Sequence, residues 1–374
     1  MKIYWFMIFW VSCWGIISSC YSKEVYIGNG RYEERSTFTW AFVTFSVIIF
    51  FIGLRSGVAD TPTYIDMFDS YPTAYNEIRE NFFNGDRDLG FKLLAIIIKK
   101  FVSTDFHIWL IFLAIVSGMF TMIPLQKYSC NYKVSVFLFM ASCQFTWLLN
   151  GMRQYLAATI MFMCTGLMLR KKTFTYILVA LIASTIHKTA LILIPMYFIV
   201  NGEAWNKKTN MFMILIIIAI LLADQFTNVL NAVVADTSYG EAMKSMQETD
   251  DGTNIIRIIV EAVPTIIAFI YKDKIKKKAT PIINLSINMS VISTGLYIIS
   301  KIAKSGIMLG RLPIYFSLYN LILLPWLIRN IFNKKERPFI YYSMIICYLL
   351  FFYYQMCIAW GGLDYISDVL NIYA

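Results

Sequence analysis

The stretch Asn150-Gly151-Met152-Arg153-Gln154-Tyr155-Leu156-Ala157 opens an apolar run that continues to Leu169 and stops at Arg170-Lys171-Lys172. A helix over this run carries a guanidinium in its first turn. The helix dipole places partial positive charge at that end, so Arg153 is disfavoured by its own helix. A bilayer adds a penalty of about 2.5–3.5 kcal/mol at mid-depth and less near the interface. A cation kept against both terms points to an anionic partner, and the planar fork of arginine suits phosphate oxygens. Snorkelling to the headgroups, or a pair with a loop carboxylate, would also satisfy it.

The rest of the chain reads as membrane protein. Of 374 residues, 58% are hydrophobic and 15% charged, which few soluble domains could carry. Several runs approach the roughly 20 residues a spanning helix needs. The expected fold is an all-α polytopic membrane protein, one transmembrane domain over 1–374. About 10 full spans are expected, near 3–20, 38–54, 107–124, 134–149, 153–169, 211–226, 254–271, 282–300, 312–328 and 339–357. The net charge of +10 is not read as a nucleic-acid footprint, because the lysines and arginines cluster beside the ends of apolar runs, as cytoplasmic loops do. The seven cysteines form no CxxC pair and read as small buried hydrophobes. The two histidines are far apart, and no His, Cys, Asp and Glu cluster has ligand spacing, so neither metal nor cofactor is expected. No small-residue cleavage site follows 3–20, which reads as a retained helix.

Two segments need charge to place them. In 89–102, Lys92, Lys99 and Lys100 form one helical stripe and the other face is Phe, Leu and Ile, as in an amphipathic helix lying in the interface. The segment 174–200 is too long for one straight span and has His187-Lys188 at its middle, which suggests a broken helical hairpin with His187 near the tip. With the basic loops placed in the cytoplasm, 55–106 (containing the interfacial helix) and 227–253 become outer loops, and both termini fall outside. Arg55, Arg153 and Arg311 then share the outer ends of their helices, and His187 falls toward the same leaflet.

These are the residues that could carry chemistry. Gly310-Arg311-Leu312-Pro313 repeats the pattern of a cation at a helix start, with proline in the first turn. Arg55 ends its helix, where a cation suits the dipole. Asp60 could bind a sugar hydroxyl, act as a base or cap a turn. His187 is either a packing residue or a proton acceptor, and Lys188 beside it could meet phosphate. Arg257 and Glu261, at i and i+4, read as a neutralising pair. Asp224 is expected at a helix end, His107 at the interface, and the Trp and Tyr at 4, 5, 14 and 21 as an aromatic belt.

Together these blocks resemble the EpsG-type branch of the Wzy polysaccharide (O-antigen or exopolysaccharide) polymerases. The resemblance lies in Gly53-Leu54-Arg55 with Asp60-Thr61, Tyr64 and Phe68, then Leu89-Gly90-Phe91; in Met152 to Ala157 followed by His187-Lys188-Thr189-Ala190-Leu191 and Pro195; and in Arg311 with Tyr315. Where the family shows Gly-x-Asp-Thr, this chain reads Val58-Ala59-Asp60-Thr61, and Leu89-Gly90-Phe91 stands for Glu-Gly-Phe. The resemblance implies a metal-independent, GT-C-like glycosyltransferase of the bacterial inner membrane, facing the periplasm. It would join undecaprenyl-diphosphate-linked oligosaccharide repeat units and release undecaprenyl diphosphate, with a chain-length regulator and a flippase as possible partners. For that reaction Arg153 and Arg311 are expected to stabilise the leaving diphosphate, with Arg55 supporting. Gln154, Lys188, Tyr315 and Tyr64 are expected to contact substrate, and His187, or second Asp60, to act as general base. An O-antigen ligase, and a flippase or transporter of lipid-linked oligosaccharide, are the competing readings.

Overall fold

The computed structural model of the protein describes residues 1–28, 30–75, 77, 88–223, 225, 227–229, 253–306, 308–360 and 363–373. Most of the expected outer loop 227–253, part of the loop 55–106, and Asp224 lie outside the described residues. The chain divides into two compact units, Met1–Ile194 with Ile340–Ala374, and Pro195–Phe339.

The first unit begins with α1 (Lys2–Cys20) and an antiparallel hairpin, β1 (Ser22–Gly28) and β2 (Arg31–Ser36), paired from Ser22↔Ser36 to Gly28↔Arg31. It continues through α2 (Phe38–Gly53), α3 (Thr61–Ser70), α4 (Leu89–Phe101), α5 (Phe106–Tyr128), α6 (Tyr132–Ala141), α7 (Met152–Met163), α8 (Thr165–Leu169) and α9 (Thr173–Ile186), and α10 (Leu193–Val200) leads out of it. The second unit holds α11 (Lys207–Leu221), α12 (Ile255–Ile270), α13 (Lys272–Lys276), α14 (Pro281–Ile302), α15 (Ile314–Ser317) and α16 (Asn320–Ile331). Then α17 (Arg337–Tyr353) returns to the first unit.

Among the described residues, five helical stretches are long and apolar enough to cross a membrane: Lys2–Cys20, Phe106–Tyr128, Pro281–Ile302, Ile314–Ile331 and Arg337–Ala359. Helices occur at the other expected positions too, but they are shorter or broken. The run 134–149 stops at Ala141; Cys143 takes a left-handed φ of 60° and a 3-10 turn follows over Gln144–Leu148. Thr146 Oγ1 donates to the Cys143 carbonyl at 2.7 Å, so a local polar bond replaces a helical one. The run 153–169 breaks at Cys164. The segment 174–200 breaks at His187, whose backbone is extended (φ −155°, ψ 118°) before a 3-10 turn over Lys188–Ile192. The hairpin is the one strand pair longer than a single bridge among the described residues. Its signal was present in the β-prone run Val25-Tyr26-Ile27 before the turn pair Asn29-Gly30.

In the first unit α2 packs on α5, α1 on α2 and α6, α5 on α7, and α9 on both α7 and α4. In the second, α14 is the central helix against α11, α12 and α16. Its buried Ser286, Ser290, Ser293 and Ser300 allow close approach, and Thr265 of α12 shares hydrogen bonds with Ser290 (2.7 Å) and Thr294 (3.1 Å).

The lysine stripe of α4 serves a different purpose from the one expected. Lys92 is buried beside the Tyr71 ring, and Lys99 Nζ donates to the carbonyls of Phe68 (2.9 Å), Asp69 (2.7 Å) and Tyr71 (2.8 Å). An ammonium has three donors, and the end of α3 offers carbonyls at the negative end of its dipole. The exposed residues of α4 are instead Leu93, Ile97, Lys100 and Phe101. At the other end, a Cβ on Gly90 would collide with Thr185 Oγ1 and lie 2.9 Å from the Thr185 backbone carbon. The crossing of α4 on α9 therefore requires glycine. Gly90→Val should destabilise the first unit by about 1–3 kcal/mol, read as a lower thermal midpoint in detergent, while Leu93→Ala on the exposed face should change it little.

Candidate functional site

The site grows from three chain segments that end near one another: the loop after α2, the entry to α4, and the first turn of α7. Gly151 precedes α7 with a left-handed φ of 76°, a conformation glycine adopts without steric cost. Its amide donates to Asp60 Oδ2 at 3.0 Å, and the Arg153 amide donates to the Tyr64 hydroxyl at 3.4 Å. Two of the amides that a helix start leaves without an internal partner are thus taken by side chains from 60–64. Asp60 also sits directly before α3, so the residue whose carboxylate holds the start of α7 is the one from which α3 begins.

The Arg153 guanidinium points back from α7. Nη1 lies 3.0 Å from Asp88 Oδ2, and the group stands over the Tyr64 ring at 5.8 Å. The arginine side chain keeps 32% of its exposure against 11% for Asp88, so the pair is half-sunk with the cation on the open side. Asp88 was not among the expected site residues. Its signal was its place directly before Leu89-Gly90-Phe91: the carboxylate stands one position ahead of the triplet that Leu89 opens.

The neighbouring Gln154 is buried, and its Nε2 donates to Thr189 Oγ1 at 3.1 Å. Thr189 Oγ1 also meets His187 Nδ1 at 2.7 Å. The break after α9 therefore brings His187 and Thr189 to the first turn of α7, with His187 half-buried and Lys188 exposed. Thr189 was quoted in the sequence motif without a role; it is the link between Gln154 and the histidine.

Arg55 is placed otherwise than expected of a substrate ligand. It is fully buried. Nε donates to Thr61 Oγ1 at 2.8 Å, Nη1 to the Ile52 carbonyl, and Nη2 to Met152 Sδ. It closes the end of α2, holds the start of α3 and touches the start of α7. Beside it lies a small cavity lined by Leu113, Ser117, Leu148 and Tyr155 among others.

Arg311 and Tyr315 belong to the second unit. Arg311 lies in a turn before α15 rather than in a helix, with Pro313 directly ahead of the first helical residue. Gly310 is fixed there, since a Cβ would strike the Gly306 carbonyl and lie 2.7 Å from Thr253 Oγ1. Tyr315 is buried. In the same unit Arg257 lies over the Tyr297 ring at 5.8 Å, and Glu261 accepts from Asn320 Nδ2 at 3.0 Å; both charged residues are buried. Among the described residues no group of three or more His, Cys, Asp and Glu is placed to hold a metal ion.

A multi-pass helical membrane protein with an arginine, two carboxylates and a histidine gathered at one helix start is the class these features define. The chain belongs to the EpsG family, whose profile matches residues 38–364. No curated protein and no solved structure matches it. Family membership makes it a polysaccharide-polymerase-like membrane protein.

The two first-unit arginines should separate on mutation. Arg55→Ala leaves the Ile52 carbonyl and Thr61 hydroxyl buried without their donor, which costs about 1–3 kcal/mol for each such group. Its thermal midpoint should fall well below that of Arg153→Ala, and a scanning-fluorescence comparison in one detergent reads the difference.

Proposed function

We propose that the protein is an inner-membrane glycosyltransferase that polymerises undecaprenyl-diphosphate-linked oligosaccharide repeat units on the periplasmic face. The observation that carries this reading is the half-exposed Arg153 at the positive end of α7, within a family of polysaccharide-polymerase-like proteins. A helix N-terminus and a guanidinium together form a region of positive potential suited to an anionic leaving group. Asp88 and Tyr64 orient the guanidinium without enclosing it. A diphosphate can share or displace the carboxylate, since the Arg153 side chain keeps 32% of its exposure.

In this reaction an acceptor hydroxyl of the incoming repeat unit attacks the anomeric carbon of the growing glycan. The bond between that carbon and the diphosphate oxygen breaks, and undecaprenyl diphosphate leaves with the bonding electron pair. Arg153 stabilises the charge that develops on it. His187, oriented by Thr189 and Gln154, accepts the hydroxyl proton. Lys188 contributes charge at the rim. Asp60, engaged on the Gly151 amide, is assigned to holding the helix start rather than to proton transfer. Arg311 and Tyr315 are assigned as substrate contacts from the family resemblance and are tested separately. Arg55 braces the loop.

Purified protein incubated with synthetic lipid-linked repeat unit should yield a ladder of polymer and free diphospholipid. Arg153→Ala, inserted normally, should lower turnover by about 10²–10³; His187→Ala should lower it by about 10²–10⁴. Full-length polymer at an unchanged rate from either variant would remove that residue from the mechanism. Arg311→Ala is expected to slow the same reaction, and wild-type turnover from it would withdraw the assignment. A ligase would instead move finished glycan to a lipid A core acceptor, and a transporter would release no diphospholipid in detergent.

A further inference from the structure

The C-terminal segment crosses the end of α2 and the loop that carries Arg55. It lies almost wholly beyond the family match, which ends at residue 364. Tyr4 of α1 donates its hydroxyl to the Leu363 carbonyl at 2.8 Å. The Tyr365 hydroxyl donates to the Phe51 carbonyl at 2.9 Å, and the Ser367 hydroxyl to the Leu54 carbonyl. The Ser56 amide donates to the Ile366 carbonyl at 2.9 Å, Gly57 and Ile366 form an antiparallel bridge, and the Asp368 amide donates to Ser56 Oγ at 3.1 Å. Asp368 Oδ1 then meets His107 Nε2 at 3.0 Å, while His107 Nδ1 meets Asp105 Oδ1 at 2.8 Å at the start of α5. Tyr365 and Ser367 are buried beneath these contacts.

The pattern is that of a helix cap supplied from the far end of the chain. A helix leaves its last carbonyls without internal donors. At the end of α2 the Phe50 carbonyl takes the Leu54 amide, Phe51 takes Tyr365, Ile52 takes Arg55, and Leu54 takes Ser367. The tail and Arg55 thus divide the same task, and the tail also pairs with the strand-like residues 56–57. The loop runs on directly to Asp60, whose carboxylate holds the Gly151 amide and so the start of the Arg153 helix.

We infer that residues 363–372 are a positioning clamp for the active-site loop, with Tyr365, Ser367 and Asp368 as its grips and His107 as its anchor. The clamp sets where Asp60 and the first turn of α7 stand, a role that rests on the proposed polymerase reading for its effect on turnover but not for its effect on structure.

Hydrogen–deuterium exchange of the full chain in detergent separates the two. In Asp368→Ala and in Tyr365→Phe, amides of 54–64 and 150–156 should exchange faster, while those of α14 do not change. Asp368→Asn, which keeps an acceptor for His107, should behave like the parent chain. Unchanged exchange in both variants overturns the clamp. In the polymerisation assay the same two variants should show kcat lowered about 10- to 100-fold, the range expected from small misplacement of reacting groups, with KM for the repeat unit within about twofold. Faster exchange with full turnover overturns the positioning role. A parent chain that makes no polymer counts against the polymerase reading alone, and exchange still decides the clamp.

Discussion

The first turn of α7 carries positive charge twice over, from its unpaired amides and from Arg153. Neither can be left bare in an apolar frame, and the surroundings answer each with its own carboxylate. Asp60 takes the Gly151 amide and Asp88 faces the guanidinium. Because Asp60 precedes α3 and Asp88 precedes α4, satisfying one helix start fixes the origins of two other helices. The geometry of the site is therefore a consequence of electrostatic and hydrogen-bond closure at one point. The Arg153 side chain keeps 32% of its exposure after this closure, against 11% for Asp88.

The two arginines of the first unit show how one residue type serves opposite ends. At the C-terminus of α2 a cation agrees with the dipole and can turn back onto a carbonyl, and its donors are taken up by Ile52, Thr61 and Met152. A buried guanidinium is tolerable only when its donors are so engaged. At the N-terminus of α7 the dipole opposes the cation, no carbonyls are on offer, and the side chain reaches outward to Asp88 and Tyr64. Arg55 consequently braces the loop from inside, while Arg153 keeps part of its exposure beside Asp88.

Small and flexible side chains settle how closely the helices meet. Gly90 lets α4 rest on α9, which sets the distance from Asp88 to the first turn of α7 and brings the His187 break alongside. The serines of α14 do the same for the second unit, where the polar groups of Thr265, Ser290 and Thr294 satisfy one another across the contact. In an apolar environment such pairs replace a hydrophobic driving force that lipid does not provide.

Much of this was legible in the residues themselves. Hydropathy and periodicity are local properties, so the mostly helical, apolar character of the chain, the break at His187 and the oddity of Arg153 at a helix start could be read directly, whereas the helix Thr61–Ser70 and the breaks after Ala141 and at Cys164 were not. The hairpin at 22–36 had a legible turn signal that the surrounding apolar runs overshadowed. Three matters belonged to tertiary structure alone. Which carboxylate meets Arg153 depends on how α4 is carried to α7, and nothing local to either residue specifies it. Whether the lysines of α4 face water or the end of α3 depends on where α3 stops. Whether Arg55 looks outward or inward depends on Thr61, Met152 and a C-terminal segment hundreds of residues away in the chain. Sequence spacing records what a helix presents on each face; only packing decides what each face meets.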